Sequence, residues 1–232
     1  MVVGIMQPYF FPYMGYFQLI LHSDVFVFHD DVQYIKGGWV NRNRILSDNR
    51  LSWITFPVCK ASHDRPINER RYVADERTRN RLLRRIAAAY RSAPFFKETY
   101  PLVQEIMSFA DTNVATFNVH LASRIAAHLN ICTPILLSST LPTSSKLTGQ
   151  ERVIEICRCL SATHYVNASG GRKLYARGQF SRAGIELGFL EAVAFGDTKP
   201  RASTAPLSIL HDLMTKETKT LMNDLRAYRI AP

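Results

Sequence analysis

The chain has 232 residues, 47% hydrophobic and 21% charged, with Gly 11 and Pro 11, which suits one folded domain and excludes a collagen-like or low-complexity chain. Its apolar runs fall short of the roughly 20 residues that span a bilayer. Residues 2–28 are interrupted by Gln7, Pro8, Pro12, His22 and Asp24 and carry neither a basic leader nor a small-residue cleavage site, so a cytoplasmic chain without a membrane span is expected.

Val2 to Met6 is a short apolar run stopped by Gln7-Pro8, as in a buried strand, and Met14 to His22 gathers Phe17, Leu19, Ile20 and Leu21 in a helical window. Val25 to Phe28 is a second apolar run, ended by Asp30-Asp31, and Trp53 to Val58 is a further extended stretch. The middle is helical. Arg79 to Arg91 sets Leu82, Leu83, Ile86, Ala87 and Tyr90 on one stripe with arginines opposite, Tyr100 to Ala110 repeats the period, and Asn113 caps a helix reaching about Leu129. Strand and helix then alternate again: Pro134 to Leu137 extended, a Thr148/Glu151 capping box before Val153 to Leu160, Thr163 to Val166 extended, Ile185 to Val193 extended, and terminal helices over 207–214 and 219–228. This order predicts a single α/β domain over residues 1–232. Its core is a predominantly parallel, Rossmann-like sheet with helices on both faces and a helical insertion at about 77–129.

The net charge of +10 points to an anionic partner, and the excess gathers between Arg65 and Arg91, either as a solvated helix face or as a docking surface. No nucleic-acid-binding motif accompanies it. Cys157 and Cys159 fall on different faces of a helix, and Cys59 and Cys132 are isolated. With no zinc spacing, the reading is reduced, mostly buried thiols and no metal. His120 and His128, two helical turns apart, lack a third ligand and read as packing or surface residues.

In open α/β sheets ligands bind beyond the carboxyl ends of parallel strands. Those ends are Gln7-Pro8-Tyr9, Asp30 to Tyr34, Ser138-Ser139, and Asn167-Ala168-Ser169-Gly170-Gly171, all polar or glycine-rich. Gln7, Asp30, Arg42 and Asn167 are therefore expected to line one cleft. Gln7 would bond a ligand without adding charge. Tyr9 belongs to a stiff aromatic loop between Pro8 and Pro12 that either stacks on a ring or plugs the core. Gly15 permits close approach at a helix start. Asp30 or Asp31 would act as general base, one of them at most reaching the ligand; a turn cap is the alternative. Lys36, Trp39, Asn41, Arg42 and Asn43 crowd a glycine-containing loop, where Arg42 with Lys36 could clamp phosphate or carboxylate, or Arg42 could pair with Asp30 or Asp31. Lys146 adds charge before a helix, and Gly170 and Gly171 offer backbone amides. GxSxG, GxGxxG and P-loop motifs are absent, so neither covalent catalysis nor a particular nucleotide or cofactor is specified.

Three N-terminal segments resemble the WbqC-like protein family: residues 7–16 from Gln7-Pro8-Tyr9 to Gly15-Tyr16, Asp30-Asp31-Val32-Gln33-Tyr34, and residues 36–43 with Trp39, Asn41, Arg42 and Asn43. Thr55 to Val58, Arg152 to Cys157, Tyr165 to Gly171 and Tyr175 extend the resemblance over most of the chain. One departure is His211 in Ser208-Ile209-Leu210-His211-Asp212, where the family tends to carry an acid. The resemblance implies an association with bacterial O-antigen or other surface-polysaccharide genes and a glycyl or other aminoacyl transferase role, with no catalytic assignment to carry over. The expected activity is transfer of an acyl or aminoacyl group to an activated sugar. The partners would be an anionic small molecule or nucleotide-sugar, with an acidic carrier protein or charged tRNA to deliver the donor. The alternatives are a nucleotidylyl transferase-like enzyme, although the HIGH histidines are lacking, and a non-catalytic carrier- or glycan-binding protein.

Overall fold

The apolar runs are each too short to be stable alone and pair with one another. The computed structural model describes residues 1–144, 146–193 and 206–232. Its strands are β1 (Val2–Met6), β2 (Val25–Phe28), β3 (Arg42–Ser47), β4 (Arg50–Thr55), β5 (Ile135–Leu137), β6 (His164–Ala168), β7 (Glu186–Ala192) and β8 (Tyr228–Ala231). Its helices are α1 (Met14–His22), α2 (Glu76–Tyr90), α3 (Phe96–Ser108), α4 (Val114–His128), α5 (Gly149–Cys159), α6 (Arg177–Arg182), α7 (Ile209–Thr215) and α8 (Thr218–Arg226).

One sheet has the order β5-β2-β1-β6-β7-β8, parallel except for β8 against β7. Counting only these strands along the chain, the order is third, second, first, fourth, fifth, sixth. That is the doubly wound, Rossmann-like order, in which the chain reverses direction across the sheet between the first and fourth strands. Here the reversal falls between β1 and β6, where Val2, Val3 and Gly4 lie beside His164, Tyr165 and Val166.

Pleating gives the sheet two apolar faces. Val3, Ile5, Val27 and Tyr165 pack with Val153, Ile156 and Cys157 of α5 and Phe180 of α6. Phe26, Phe28, Val166 and Leu190 belong to the larger core on the other face, with Phe17 and Leu19 of α1 and the buried stripes of α2, α3, α4, α7 and α8. Helices thus cover both faces, and α2, α3 and α4 fill the middle of the chain between β4 and β5.

On α2, Asp75 caps the first turn by accepting from Thr78 N at 2.7 Å, and Leu82, Ile86 and Tyr90 are buried while Arg77, Arg81, Arg84, Arg85 and Arg91 are exposed. Arg79 departs from the solvated set: it is half-buried and its Nε donates to the Ala74 carbonyl at 2.9 Å. Because the other arginines contact water, Arg84→Glu with Arg85→Glu should leave the unfolding free energy within about 0.5 kcal/mol per substitution, measured by urea denaturation.

Four expectations need correction. Residues 42–55 form an antiparallel hairpin, so Arg42 and Asn43 lie in a strand and not in the expected loop, and the second strand starts at Arg50, ahead of Trp53. The hairpin turns at Asp48 and Asn49, both with positive φ (49° and 58°), which this residue pair tolerates and which matches the strand twist. The last helix stops at Arg226, and Tyr228 starts the edge strand β8. Thr148 precedes α5 but its side chain makes no cap bond. The thiols are mostly exposed: Cys59, Cys132 and Cys159 reach the surface, and Cys157 alone is buried on the inner face of α5, where burial pushes its thiol up to about 12.

Candidate functional site

At the reversal between β1 and β6 the strand ends part and leave a cleft of about 410 Å³. Gln7, Tyr9, Tyr13, His29, Trp39, Asn167, Gly170, Gly171 and Tyr175 line it, together with apolar residues that include Ile35 and Leu174. Among the described residues, none that lines it is Lys, Arg, Asp or Glu.

The aromatic loop after β1 divides its labour. Phe10 and Phe11 are fully buried, 4.8 Å apart edge to face, and plug the core. Phe11 adopts a positive φ of 43°, held because the buried Asn43 side chain donates to the Phe11 carbonyl at 2.8 Å and to that of Phe10 at 3.3 Å. Tyr9 and Tyr13 are left facing the cleft, and burial raises both phenols, Tyr9 to about 12, so they stay neutral donors. The Gln7 carbonyl accepts from Tyr16 at 2.7 Å, while its side-chain amide makes no hydrogen bond with a described residue.

Across the cleft, Asn167 Nδ2 donates to the Tyr165 hydroxyl at 2.8 Å and the Tyr175 hydroxyl at 3.2 Å, and its Oδ1 accepts from Ala168 N at 2.7 Å. Asn167 therefore fixes the Tyr175 ring. Gly171 lets the chain close behind it, since a Cβ there would stand 3.0 Å from Asn167 Nδ2.

His29, which sequence reasoning missed, adds an imidazole to the phenols of this cleft. It is the first residue after β2, and its backbone N–H donates to the Met6 carbonyl at 2.8 Å, which seats the ring at the strand end. Its Nε2 lies 3.8 Å from Asp31 Oδ1 and has no hydrogen-bond partner among the described residues. Burial first, with some help from the Arg152 charge, holds the imidazole below its ordinary value against the pull of Asp31 and Asp30, so it is neutral at pH 7. Asp31 is locked from behind: its Oδ2 accepts from Arg152 Nη2 at 2.8 Å, and its Oδ1 accepts from Ser138 Oγ. Arg152 is buried (side chain 4% exposed) and also donates to Thr143 Oγ1 and, at 3.0 Å, to the Ser144 carbonyl.

Asp30, the other candidate base, is 2% exposed and lines neither this cleft nor the one described next. It accepts from Ser139 N at 3.0 Å, Ser139 Oγ at 2.6 Å, Ser138 Oγ at 3.1 Å and Asn68 Nδ2 at 3.4 Å. Its carboxylate thus ties the short turn Ser138–Thr140 after β5 to the end of β2, which is the turn-cap arrangement. The adjacent aspartates do not diverge as strand residues would, because the strand has already ended at Phe28.

A second cleft of about 740 Å³ holds Lys36, Asn41 and Arg42, with Tyr34, Cys59, Lys60, His63 and Arg70. The expected single cleft is therefore two. Gln7 and Asn167 share the first, and Arg42 lies in the second. The segment 35–42 is their common wall, with Ile35 and Trp39 facing one and Lys36, Gly37, Asn41 and Arg42 the other. Arg42 does not pair with Asp30 or Asp31; its Nε donates to the Gly38 carbonyl at 3.3 Å and its guanidinium stacks 4.2 Å over Trp53. Asn41 is spent on structure, donating to the Phe56 carbonyl at 3.0 Å and accepting from Tyr34 at 2.8 Å. Gly15 lines neither cleft. A Cβ there would meet the Tyr13 ring at 2.7 Å, so the glycine makes room for that side chain. Lys146 is exposed in a turn and lines neither cleft. Among the described residues no cluster of three or more His, Cys, Asp and Glu could hold a metal, and no helix is long and apolar enough to cross a membrane.

The profile described as the WbqC-like protein family matches residues 7–222. An uncharacterised protein of Mycobacterium tuberculosis, Rv1507c, is 30% identical over 199 residues, covering 85% of each chain. No solved structure matches the chain.

Proposed function

The chain belongs to the WbqC-like protein family, and from that premise we propose that it is a cytoplasmic transferase that adds an acyl or aminoacyl group to an activated sugar of the kind used for bacterial surface polysaccharide. The observation that supports this reading is His29, set in an otherwise uncharged cleft at the sheet's reversal and backed by Asp31, which Arg152 fixes. The Gln7 amide and the phenols of Tyr9, Tyr13 and Tyr175, the last oriented by Asn167, suit sugar hydroxyls, and the faces of Tyr9 and Trp39 suit the apolar face of the ring.

In this reading a sugar hydroxyl or amine attacks the carbonyl of an activated acyl donor. The new bond is carbon to oxygen or nitrogen. The donor's acyl to leaving-group bond breaks, and its electron pair departs with the leaving group. The nucleophile's proton passes to His29, at Nδ1 because Nε2 is turned toward Asp31. Asp31 stabilises the imidazolium that results.

The test is incubation of purified protein with nucleotide-sugars and acyl or aminoacyl donors, followed by mass spectrometry. The expected product is heavier than the sugar substrate by one acyl group. Saturable binding without any turnover would favour a non-catalytic glycan-binding protein.

The pH dependence follows from burial of His29. Its proton affinity is lower in the folded than in the unfolded chain, so kcat/KM should be level above pH 6.5 and fall in acid with a midpoint below 6.5. The same shift makes the folded state bind fewer protons, so stability declines as pH drops below 6.5, and the full penalty is reached below the folded-state value. In His29→Gln that part of the acid loss should disappear from urea denaturation curves.

A further inference from the structure

We propose that the second cleft is a binding site for an organic diphosphate, a function the first cleft with its uncharged walls cannot supply. Lys36, Arg42, Lys60 and Arg70 line it, and among the described residues no carboxylate does. The nearest acids along the chain look elsewhere: Asp64 is 92% exposed and 3.7 Å from His63, and Glu69 lies 4.0 Å from Arg65.

Arg70 carries the argument. It is 5% exposed, and a guanidinium does not shed its charge in a protein. Its partners are carbonyls: Nη2 donates to Ser62 at 2.6 Å and His63 at 3.2 Å, and Nε donates to Arg65 at 3.3 Å. Its guanidinium also lies 5.0 Å from the centre of the Tyr34 ring. Carbonyls and a ring face orient a cation without neutralising it. Arg42, which also lines the cleft, is held in the same way, by the Gly37 and Gly38 carbonyls and the face of Trp53. Two guanidiniums held without a carboxylate partner among the described residues, in a cleft that Lys36 and Lys60 also line, favour an anion with charge to share between them.

The remaining lining selects for more than a free anion. Tyr34, Pro57 and Val58 give the cleft apolar surface, and its volume falls within the range of about 300–1,000 Å³ of small-molecule sites. A diphosphate bearing an organic body, such as a nucleoside diphosphate, fits both properties. This inference rests on the second cleft alone and stands whether or not His29 is a base.

Isothermal titration of the full chain at low ionic strength tests it, with inorganic pyrophosphate, uridine diphosphate and uridine. Pyrophosphate and uridine diphosphate should both bind saturably, the latter more tightly, and uridine should not bind. Lys36→Glu with Lys60→Glu, both exposed and so compatible with folding, should weaken both by at least about tenfold, and Arg42→Gln should weaken them as well. The charge-matched pair Arg84→Glu on α2 with Arg91→Glu just after it, both outside the cleft, should change affinity by less than about twofold. Absence of saturable pyrophosphate binding, equal binding of uridine and its diphosphate, or equal losses in the two double variants would overturn the proposal.

Discussion

His29→Gln is expected to lower the rate of acyl transfer to a nucleotide-sugar by about 10²–10⁴-fold with little change in folding stability at pH 7. Glutamine keeps polar contact with the cleft but cannot accept and hold the nucleophile's proton. The fold should tolerate the change, because Asp31 remains bound by Arg152 and Ser138, and the contact that seats position 29 is its backbone N–H to Met6. Asp30→Asn should behave differently. Its carboxylate accepts from a backbone N–H and from side chains of the Ser138–Thr140 turn, so its replacement should first reduce stability. Wild-type turnover in His29→Gln would return the histidine to packing.

Arg152→Met should cost about 3–5 kcal/mol of unfolding free energy, read from urea denaturation. Methionine preserves much of the volume but leaves Asp31 without its cation, beside Asp30 and with Ser138 Oγ between the two carboxylates. The Thr143 and Ser144 oxygens lose their donor as well. Adding Asp31→Asn should recover part of the loss, since the uncompensated charge is then gone. An unchanged unfolding free energy in Arg152→Met would mean that the lock behind His29 is not structural.

The architecture was legible because its strands are short apolar runs closed by polar turns: Val2–Met6, Val25–Phe28 and the run ending at Leu137 stand out against their neighbours. The β3–β4 hairpin was missed because it stands outside the sheet and buries mainly Asn43, Ile45 and Ile54, while Leu51 and Trp53 stay exposed. Asp48-Asn49 was its available signal.

The strand-end rule placed Gln7, Asn167, Gly170 and Gly171 at one edge, and they do share a cleft, because that depends only on where β1 and β6 stop. It did not find the partition into two clefts, because the directions of Lys36 and Trp39 are set by how the segment 35–42 turns into β3. His29 was readable as the first residue past an apolar run, but the Asp-Asp pair behind it drew the reading. Its support was not readable at all, since Arg152 reaches Asp31 across 121 residues of chain.

Chemical-shift mapping of the chain with a uridine-diphosphate hexose tests the central claim most directly. The account predicts that the side-chain amides of Gln7 and Asn167 and the ring resonances of His29 move together, saturably, with Trp39 following. Saturable shifts that leave all of these unmoved and gather elsewhere would contradict it.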